Sequence, residues 1–445
     1  MKKVIQFFAV TAISSLAFGQ QSFTIDESWQ YAIDHNVAVQ KAKIDRTIAD
    51  QKVKETIGIG LPQISGQAKY NYYLKIPVTL IDASQFPGSD APPGTVTEFP
   101  MGLKHNANAG LTLTQLIFNG SYLVGLQSSK AFKETMALAE EKTQISIKEG
   151  ILMSYTAVLV VDENIKTLEE NRKVAEKALN DTRETYQLGL IEFQNVEQQE
   201  YSYKSLLANQ QNLTRDRKKL MMTLKYLMGY PLDQPISLSS SLDELIQKNE
   251  GLVDLENQLD LNNHIDYRLK QNQLKLNELK LRLQKSYALP SLSGFANTAY
   301  NTGNNQFKIF DTNNRWFNST ILGLQLDVPI FSGFQRHWQT EQAKLDLKKS
   351  QLDLQDMEKT LKNNAYSASV DYDNAYNSYK NALELIKLSS SIYNKQQIKF
   401  KEGMGSSFDL QQAETQLYNS QAQYYQSALN LIQAKTKLDE ALGKL

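Results

Sequence analysis

Long stretches of the chain repeat apolar residues at three- and four-residue spacing, the mark of helices that bury one face. The pattern predicts helices over 28–59, 123–188, 192–228, 263–286, 335–400 and 408–442. Two of these exceed 60 residues, which at 1.5 Å per residue makes each on the order of 100 Å long, far beyond an ordinary globular helix. The last helix shows how it packs. Leu410, Leu417, Tyr424, Leu431 and Leu438 recur every seven residues, as do Ala413, Ser420, Ser427, Ala434 and Ala441. Large residues at one seam position and small ones at the other let a neighbouring helix approach closely. A looser version runs through Val196 and Tyr203, then Leu206, Leu213, Leu220 and Leu227.

Between these helices the period changes to two. Leu61–Tyr73 reads LPQISGQAKYNYY and Leu289–Thr302 reads LPSLSGFANTAYNT, so L-P-x-[IL]-S-G occurs twice, 228 residues apart. Pro62 and Pro290 each stop a helix, and the residues after them alternate as a strand. A loop and a second strand follow in each case, AGLTLTQLIFNG (109–120) and ILGLQLDVPIFSG (321–333). In the latter, Leu322, Leu324, Leu326, Val328 and Ile330 face one way, and Ile321, Gly323, Gln325 and Asp327 the other. Such strands, about ten residues long with one apolar and one wetter face, fit a transmembrane β-barrel. Tyr70, Tyr72, Tyr73, Trp316 and Phe317 are then expected in an interfacial aromatic belt. The intervening segments 80–102 and 303–315 read as exposed loops.

The long helices are interrupted by a second duplicated motif. TYQLGLIEFQNVEQQE (185–200) and KFKEGMGSSFDLQQAETQ (399–416) each place a glycine three residues after an aromatic, then a Phe and a fresh polar helix. Gly189 and Gly403 lie 214 residues apart, and Gly405 follows the second. Glycine permits the backbone reversal between antiparallel helices that other residues resist. The predicted organisation is a leader over 1–19, a first structural repeat over 20–230 with strands near 63–78 and 104–118, a joining segment over 231–262, and a second repeat over 263–445 with strands near 291–302 and 317–331. Each repeat holds a helix, two strands and a long helical hairpin. Pro231 and Pro235 end helical structure in the joining segment.

Four strands per chain cannot close a barrel, and an open edge inside hydrocarbon leaves backbone groups unpaired at several kcal/mol each. The sheet must be completed by copies of the same chain. Two, three or four copies give eight, twelve or sixteen strands, and periodicity does not choose among them. Two other readings remain at this point: a secreted or surface coiled-coil protein with no pore, and a passive uptake porin. The duplicated amphipathic strands argue against the first, and the dominance of helices against the second.

Composition narrows the setting. Lys2 and Lys3, an apolar run to Leu16 and a small-x-small Ala17-Phe18-Gly19 before Gln20 form a secretory leader. There is no cysteine, so no disulfide and no lipidated cysteine beside the cleavage site. With 48 basic and 48 acidic residues, the chain lacks the positive excess of a nucleic-acid surface. His35, His105, His264 and His337 are scattered without metal-ligand spacing. No nucleophile–base pairing, phosphate-binding glycine loop or cofactor motif is present, and no enzyme is expected.

Together, the two L-P-x-[IL]-S-G junctions, the strand ends Q-L-I-F-N-G (115–120) and V-P-I-F-S-G (328–333), the two glycine turns and the C-terminal F-K-E-G…F-D-L-Q-Q-A-E-T-Q-L-Y-N-S-Q…A-L-G run (400–443) resemble the outer-membrane efflux protein family, the TolC-like exit ducts of bacterial tripartite pumps and type I secretion systems. The resemblance covers about 24–445. It implies a mixed α and β fold: a homotrimeric, twelve-stranded outer-membrane barrel continued by a twelve-helix coiled-coil tunnel in the periplasm. It also implies partners, namely outer-membrane lipid, a periplasmic adaptor and an inner-membrane RND or ABC transporter that supplies the energy. In the family an aspartate just past the second turn narrows the periplasmic entrance. Asp409 takes that position here, with N-terminal capping of its own helix as the competing role. Gln412 stands where a second acid is frequent, and Asn195 is the first-half counterpart of Asp409.

Overall fold

The computed structural model describes residues 21–85, 87, 88, 90–249 and 259–445; the expected leader and part of the joining segment lie outside the described residues. In chain order the elements are β1 (Gln21–Phe23), α1 (Ile25–His35), α2 (Val37–Ile59), β2 (Gln63–Tyr72), β3 (Val78–Asp82), β4 (Val96–Pro100), β5 (His105–Asn119), α3 (Gly120–Gln187), α4 (Phe193–Met228), β6 (Ile236–Leu238), α5 (Leu242–Asn249), α6 (Ile265–Ser286), β7 (Ser291–Asn304), β8 (Phe317–Asp327), α7 (Gln335–Lys401) and α8 (Ser407–Ala441). Helices α3 and α7 run for 68 and 67 residues.

Local chemistry explains where these elements depart from the sequence pattern. The first predicted helix breaks at Asn36, whose backbone is extended. Its Oδ1 accepts from the Ala38 and Val39 amides and so caps α2, while its Nδ2 donates to the Leu227 carbonyl. The last strand ends at Asp327 rather than near 331, because Pro329 has no amide to give a ladder. The segment expected to be a plain loop at 80–102 contains the β3–β4 hairpin, closed by the Asp82 carboxylate accepting from Ser84 and Gly94 amides.

The chain divides into two compact units, each drawing on both halves of the sequence. The first comprises the described residues up to Arg46 with Met136–Lys270 and Leu354–Leu445. Its core gathers Phe23, Ile151, Tyr155, Val158, Leu224, Met228, Tyr372, Leu431 and Leu438. The segment of α3 that is apolar enough for a membrane span by composition contributes its buried face to this core. A parallel β1–β6 pair, unannounced by any periodicity, is held by the buried Tyr155 hydroxyl, which donates to the Phe23 carbonyl and accepts from the Ser240 amide. The large seam residues of α8 are buried as their heptad requires, apart from the half-buried Tyr424. On α4 the buried face near the end is Met221, Leu224 and Met228, with Leu220 and Leu227 only flanking it.

The second unit comprises Thr47–Thr135 and Gln271–Asp353. It holds one four-stranded sheet in the order β2-β5-β7-β8, antiparallel throughout, with a bulge at Leu116–Phe118 on β5. The central β5–β7 pairing joins the two halves of the sequence. Its helical segments follow the same order as the strands. Asp50 of α2 pairs with Lys133 of α3, Glu134 of α3 with Lys275 of α6, and Lys280 of α6 with Asp346 of α7. Exposed pairs of this kind stabilise little, but they identify neighbours. Each helix lies beside the helix whose strand is its own strand's neighbour, and β2 and β8 are left as open edges.

Candidate functional site

Directly paired residues of antiparallel strands project to the same side, so the register sorts the sheet into two faces. One carries Ile64, Leu111, Leu113, Leu292, Ala296, Leu322, Leu324 and Leu326. The other carries Gln63, Ser65, Gln67, Lys69, Asn108, Thr112, Asn297 and Ser319. On the polar face Asn108 Nδ2 donates to Asn301 Oδ1 at 2.5 Å and Asn297 Nδ2 to Thr112 Oγ1 at 2.7 Å. Phe295 is an apolar exception there because its ring covers Gly323, where an added Cβ would fall 2.5 Å from it. Tyr70 and Tyr72 share the apolar face with Tyr300. Phe317, grouped with them from sequence, pairs with Asn301 and lies on the polar face. Tyr73 and Trp316 fall outside the strands.

The two proline junctions are built alike. Gly60 and Leu61 donate to the Ile57 and Gly58 carbonyls, and 228 positions later Ala288 and Leu289 donate to those of Lys285 and Ser286. Pro62 and Pro290 then stand immediately before β2 and β7. The strand-to-helix junctions differ. Asn119 Oδ1 accepts from the Tyr122 amide and starts α3 directly. Before α7 the guanidinium of Arg336 instead gathers Ser332 Oγ and the Pro329 and Tyr287 carbonyls.

At the ends of α3 and α7 the glycine turns share one hydrogen-bond pattern. Gly189 donates to Tyr186 and Leu190 to Thr185; Gly403 donates to Phe400 and Met404 to Lys399. These are Schellman closures, with φ of 73° at Gly189 and 70° at Gly403, left-handed values that favour glycine. Gly405 serves a close approach instead, since a Cβ there would meet the Phe400 amide nitrogen at 3.1 Å. The chemistry of the two turns then diverges. Ser406 Oγ accepts from the Phe408 amide and caps α8, so the cap considered for Asp409 is supplied by its neighbour. Asp409 sits in the first turn with its side chain exposed and, among the described residues, without a hydrogen bond or ion pair. Gln412 is exposed one turn on. In the first half Glu192 occupies the cap position without a side-chain bond, and Asn195 Nδ2 turns back to the Glu192 carbonyl.

Residues 29–230 and 260–444 match the family model for outer membrane efflux protein. This chain belongs to the outer membrane efflux protein family. It is 20% identical over 470 residues to the outer membrane protein TolC of Salmonella enteritidis, covering 100% of this chain and 87% of that protein. The TolC of Vibrio cholerae is 21% identical over 464 residues, with 100% and 96% covered. Among solved structures, the CmeC outer membrane channel of Campylobacter jejuni matches with a TM-score of 0.72 at 17% identity, over 94% of this chain and 85% of that one. CusC matches with a TM-score of 0.75 at 12% identity, over 94% and 91%. What is shared with the structures is the mixed fold of long helices and sheet.

Membership of the efflux protein family makes the chain a transport protein and not an enzyme. Among the described residues no group of three His, Asp or Glu side chains is placed to hold a metal. Two features of this family member escaped the sequence reading. Glu414, inward of Asp409, is buried, accepting from Ser202 Oγ of α4 at 2.8 Å and from the Tyr418 hydroxyl at 2.6 Å. Burial first, and the Glu414 carboxylate second, push the Tyr393 hydroxyl up to about 12 and raise that of Tyr418 as well. Helix α8 is also tied to α3 by Asn171–Gln421 and Thr167–Tyr425 hydrogen bonds. The second feature is Lys69, the one basic side chain on the polar sheet face; alternation along β2 marks two faces but does not say which of them meets the polar faces of β5, β7 and β8.

Proposed function

We propose that the chain is the protomer of an outer-membrane exit duct that passively conducts substrates delivered by an inner-membrane RND or ABC transporter through a periplasmic adaptor. One observation carries this reading: a four-stranded antiparallel sheet with one apolar face, one polar face and both edges open. Four alternating strands place β2 and β8 in opposite directions, so identical copies arranged in a ring join β8 to β2 antiparallel at every seam. The polar face then lines water and the apolar face meets lipid. We infer three copies and twelve strands from the family resemblance, with the long hairpins forming a periplasmic tunnel. Segments 20–230 and 263–445 act as two versions of one structural repeat joined by 231–262, after removal of a leader at 1–19. The matched junctions and glycine closures support that duplication.

In this reading the turns at Gly189 and Gly403 ring the periplasmic mouth, and Asp409 projects negative charge into it. A ring of carboxylates in a narrow opening favours cations. Purified protein should run as a trimer by native mass measurement and conduct in a planar bilayer; a well-folded oligomer that never conducts would sink the duct. Asp409→Asn should lower cation preference and weaken divalent-cation block near 0.1 M salt, where screening acts over about 10 Å. Because Ser406 holds the cap, the oligomer should keep its heat resistance. Unchanged ion preference would remove Asp409 from the mouth.

A further inference from the structure

Across β2, β5, β7 and β8 the only formally charged side chains are Lys69 and Asp327. The register places them at opposite ends of the same polar face. Lys69 stands opposite Asn108, which stands opposite Asn301 and then Phe317, the first residue of β8. Asp327, the last residue of β8, stands opposite Ser291. Along its own strand Lys69 is flanked on that face by Gln67 and Asn71. Its side chain is exposed and has no carboxylate partner among the described residues. The nearest fixed polar groups are amides already committed to each other, such as Asn108 and Asn301.

We propose that Lys69 is the anion-selecting element of the membrane-crossing part of the duct, favouring solutes that present a carboxylate, phosphate or other anionic group at the exit end. The proposal rests on the reading that the polar face lines a water-filled lumen. A charged side chain on the lipid face is destabilising to a degree that depends on depth, and the register places Lys69 on the polar side. Neutral amides and hydroxyls around it offer hydrogen bonds without offsetting its charge. In a twelve-stranded ring the three copies stand four strands apart, about 19 Å along the wall at roughly 4.8 Å per strand. Near 0.1 M salt the screening length is about 10 Å, so the three fields overlap across the lumen; at 1 M it is about 3 Å and they do not. Basic rings select anions for this reason.

The chain contains no cysteine, so single cysteines report without background. Wild type, Lys69→Gln and Lys69→Glu are compared in planar bilayers under a potassium chloride gradient, alongside Lys69→Cys, Gln67→Cys and Ala68→Cys treated with a charged, water-soluble thiol reagent. Lys69→Glu should lower the chloride-to-potassium permeability ratio roughly two- to five-fold near 0.1 M salt and hardly at all near 1 M. Lys69→Gln should give about half that shift on a logarithmic scale, since it removes charge without reversing it. The reagent should alter conductance at Gln67→Cys and Lys69→Cys but spare Ala68→Cys, whose side chain is on the apolar face. A wild-type channel that conducts, with ion preference unmoved in Lys69→Glu, overturns the role of Lys69 and leaves the duct standing. Modification at Ala68→Cys in place of Lys69→Cys inverts the faces and overturns it as well. A folded wild-type oligomer that does not conduct removes the duct reading itself, and this inference with it.

Discussion

In the helical unit Leu431 and Leu438 are 0% exposed, whereas on β8 of the sheet unit Leu322, Leu324 and Leu326 stand 78, 72 and 62% exposed. The residue type is the same and the treatment opposite. The helical unit closes its core within one chain, drawing on α3, α4, α5, α7 and α8 around Tyr155 and Leu224. The four-stranded sheet of the second unit pairs its strands from β2 to β8, leaves both outer edges open and leaves one face of large side chains uncovered. A contiguous apolar surface of that kind marks contact with a membrane or partner. The first unit therefore holds a buried core of its own, while Tyr201, Tyr226 and Leu388 stay exposed on its surface; the apolar face of the sheet keeps Leu322, Leu324 and Leu326 at the surface.

The sharpest way to break this contrast is to truncate matched leucines. Leu431→Ala should cost about 2–5 kcal/mol through lost burial and a cavity, read as a fall in thermal stability by circular dichroism in detergent. Leu324→Ala should cost little in the same assay, because the chain itself places almost nothing against it. Equal losses would mean that the sheet face is packed by protein.

The glycine closures sharpen the same point within the helical hairpins. Gly229 and Gly403 both have positive φ, 71° and 70°. Around Gly403 a Cβ would meet open space, while at Gly229 it would fall 2.4 Å from the His35 carbonyl oxygen. Gly403→Ala should cost only the backbone term, about 1 kcal/mol. Gly229→Ala adds a steric clash with backbone and should cost roughly 1–3 kcal/mol more. Comparable melting points for the two variants would place Gly229 in a looser site than the packing implies.

Capping gives a smaller effect. Ser406→Ala should destabilise by about 1 kcal/mol, whereas Glu192→Ala, which removes no side-chain cap bond, should change little. Hydrogen exchange at the first amides of α8 and α4 reads both, and faster exchange only in α8 is the expected pattern.

The smallest effect concerns alkali. The Tyr393 hydroxyl is pushed from 10.0 up to about 12 in the folded chain. An unfolded tyrosine releases its proton near pH 10. Between about pH 10 and 12 the unfolded state therefore binds fewer protons, and stability falls as pH rises. The contribution is fully present below pH 10. Tyr393→Phe should flatten the decline over that window in alkaline thermal melts; an unaltered slope would assign the decline to other groups such as Tyr418, which is raised by burial and by Glu414.

Much of this fold was legible in the sequence because its signals are local. Helix ends lie within a few residues of where periodicity puts them, apart from the break at Asn36, where a single side chain caps one helix and reaches Leu227 of another. The prolines at 62 and 290 and the glycines at 189 and 403 act through their own backbone restrictions, so their places could be read residue by residue. The alternation in β2 and β8 declared two faces without declaring any partner. Position marks Asp409 as a candidate cap, yet Ser406, three residues earlier, holds that role, since only backbone geometry decides which polar residue near a helix start faces the free amides.

Pairing belonged to the tertiary structure. The β5–β7 ladder joins segments of opposite halves of the chain, and the β1–β6 pair joins Gln21–Phe23 to Ile236–Leu238; no local period encodes a contact at such separation. The register that sets Lys69 and Asp327 at opposite ends of one face follows from those ladders, because a one-residue slip would turn each side chain to the other side. Glu414 looked like one more polar residue of α8 until Ser202 and Tyr418 closed around it. Sequence alone determined which elements form, since helix and strand answer to neighbours three, four or two residues away. The fold decided which of their polar groups are buried, paired or left solitary, since those fates depend on whatever distant segment is brought alongside.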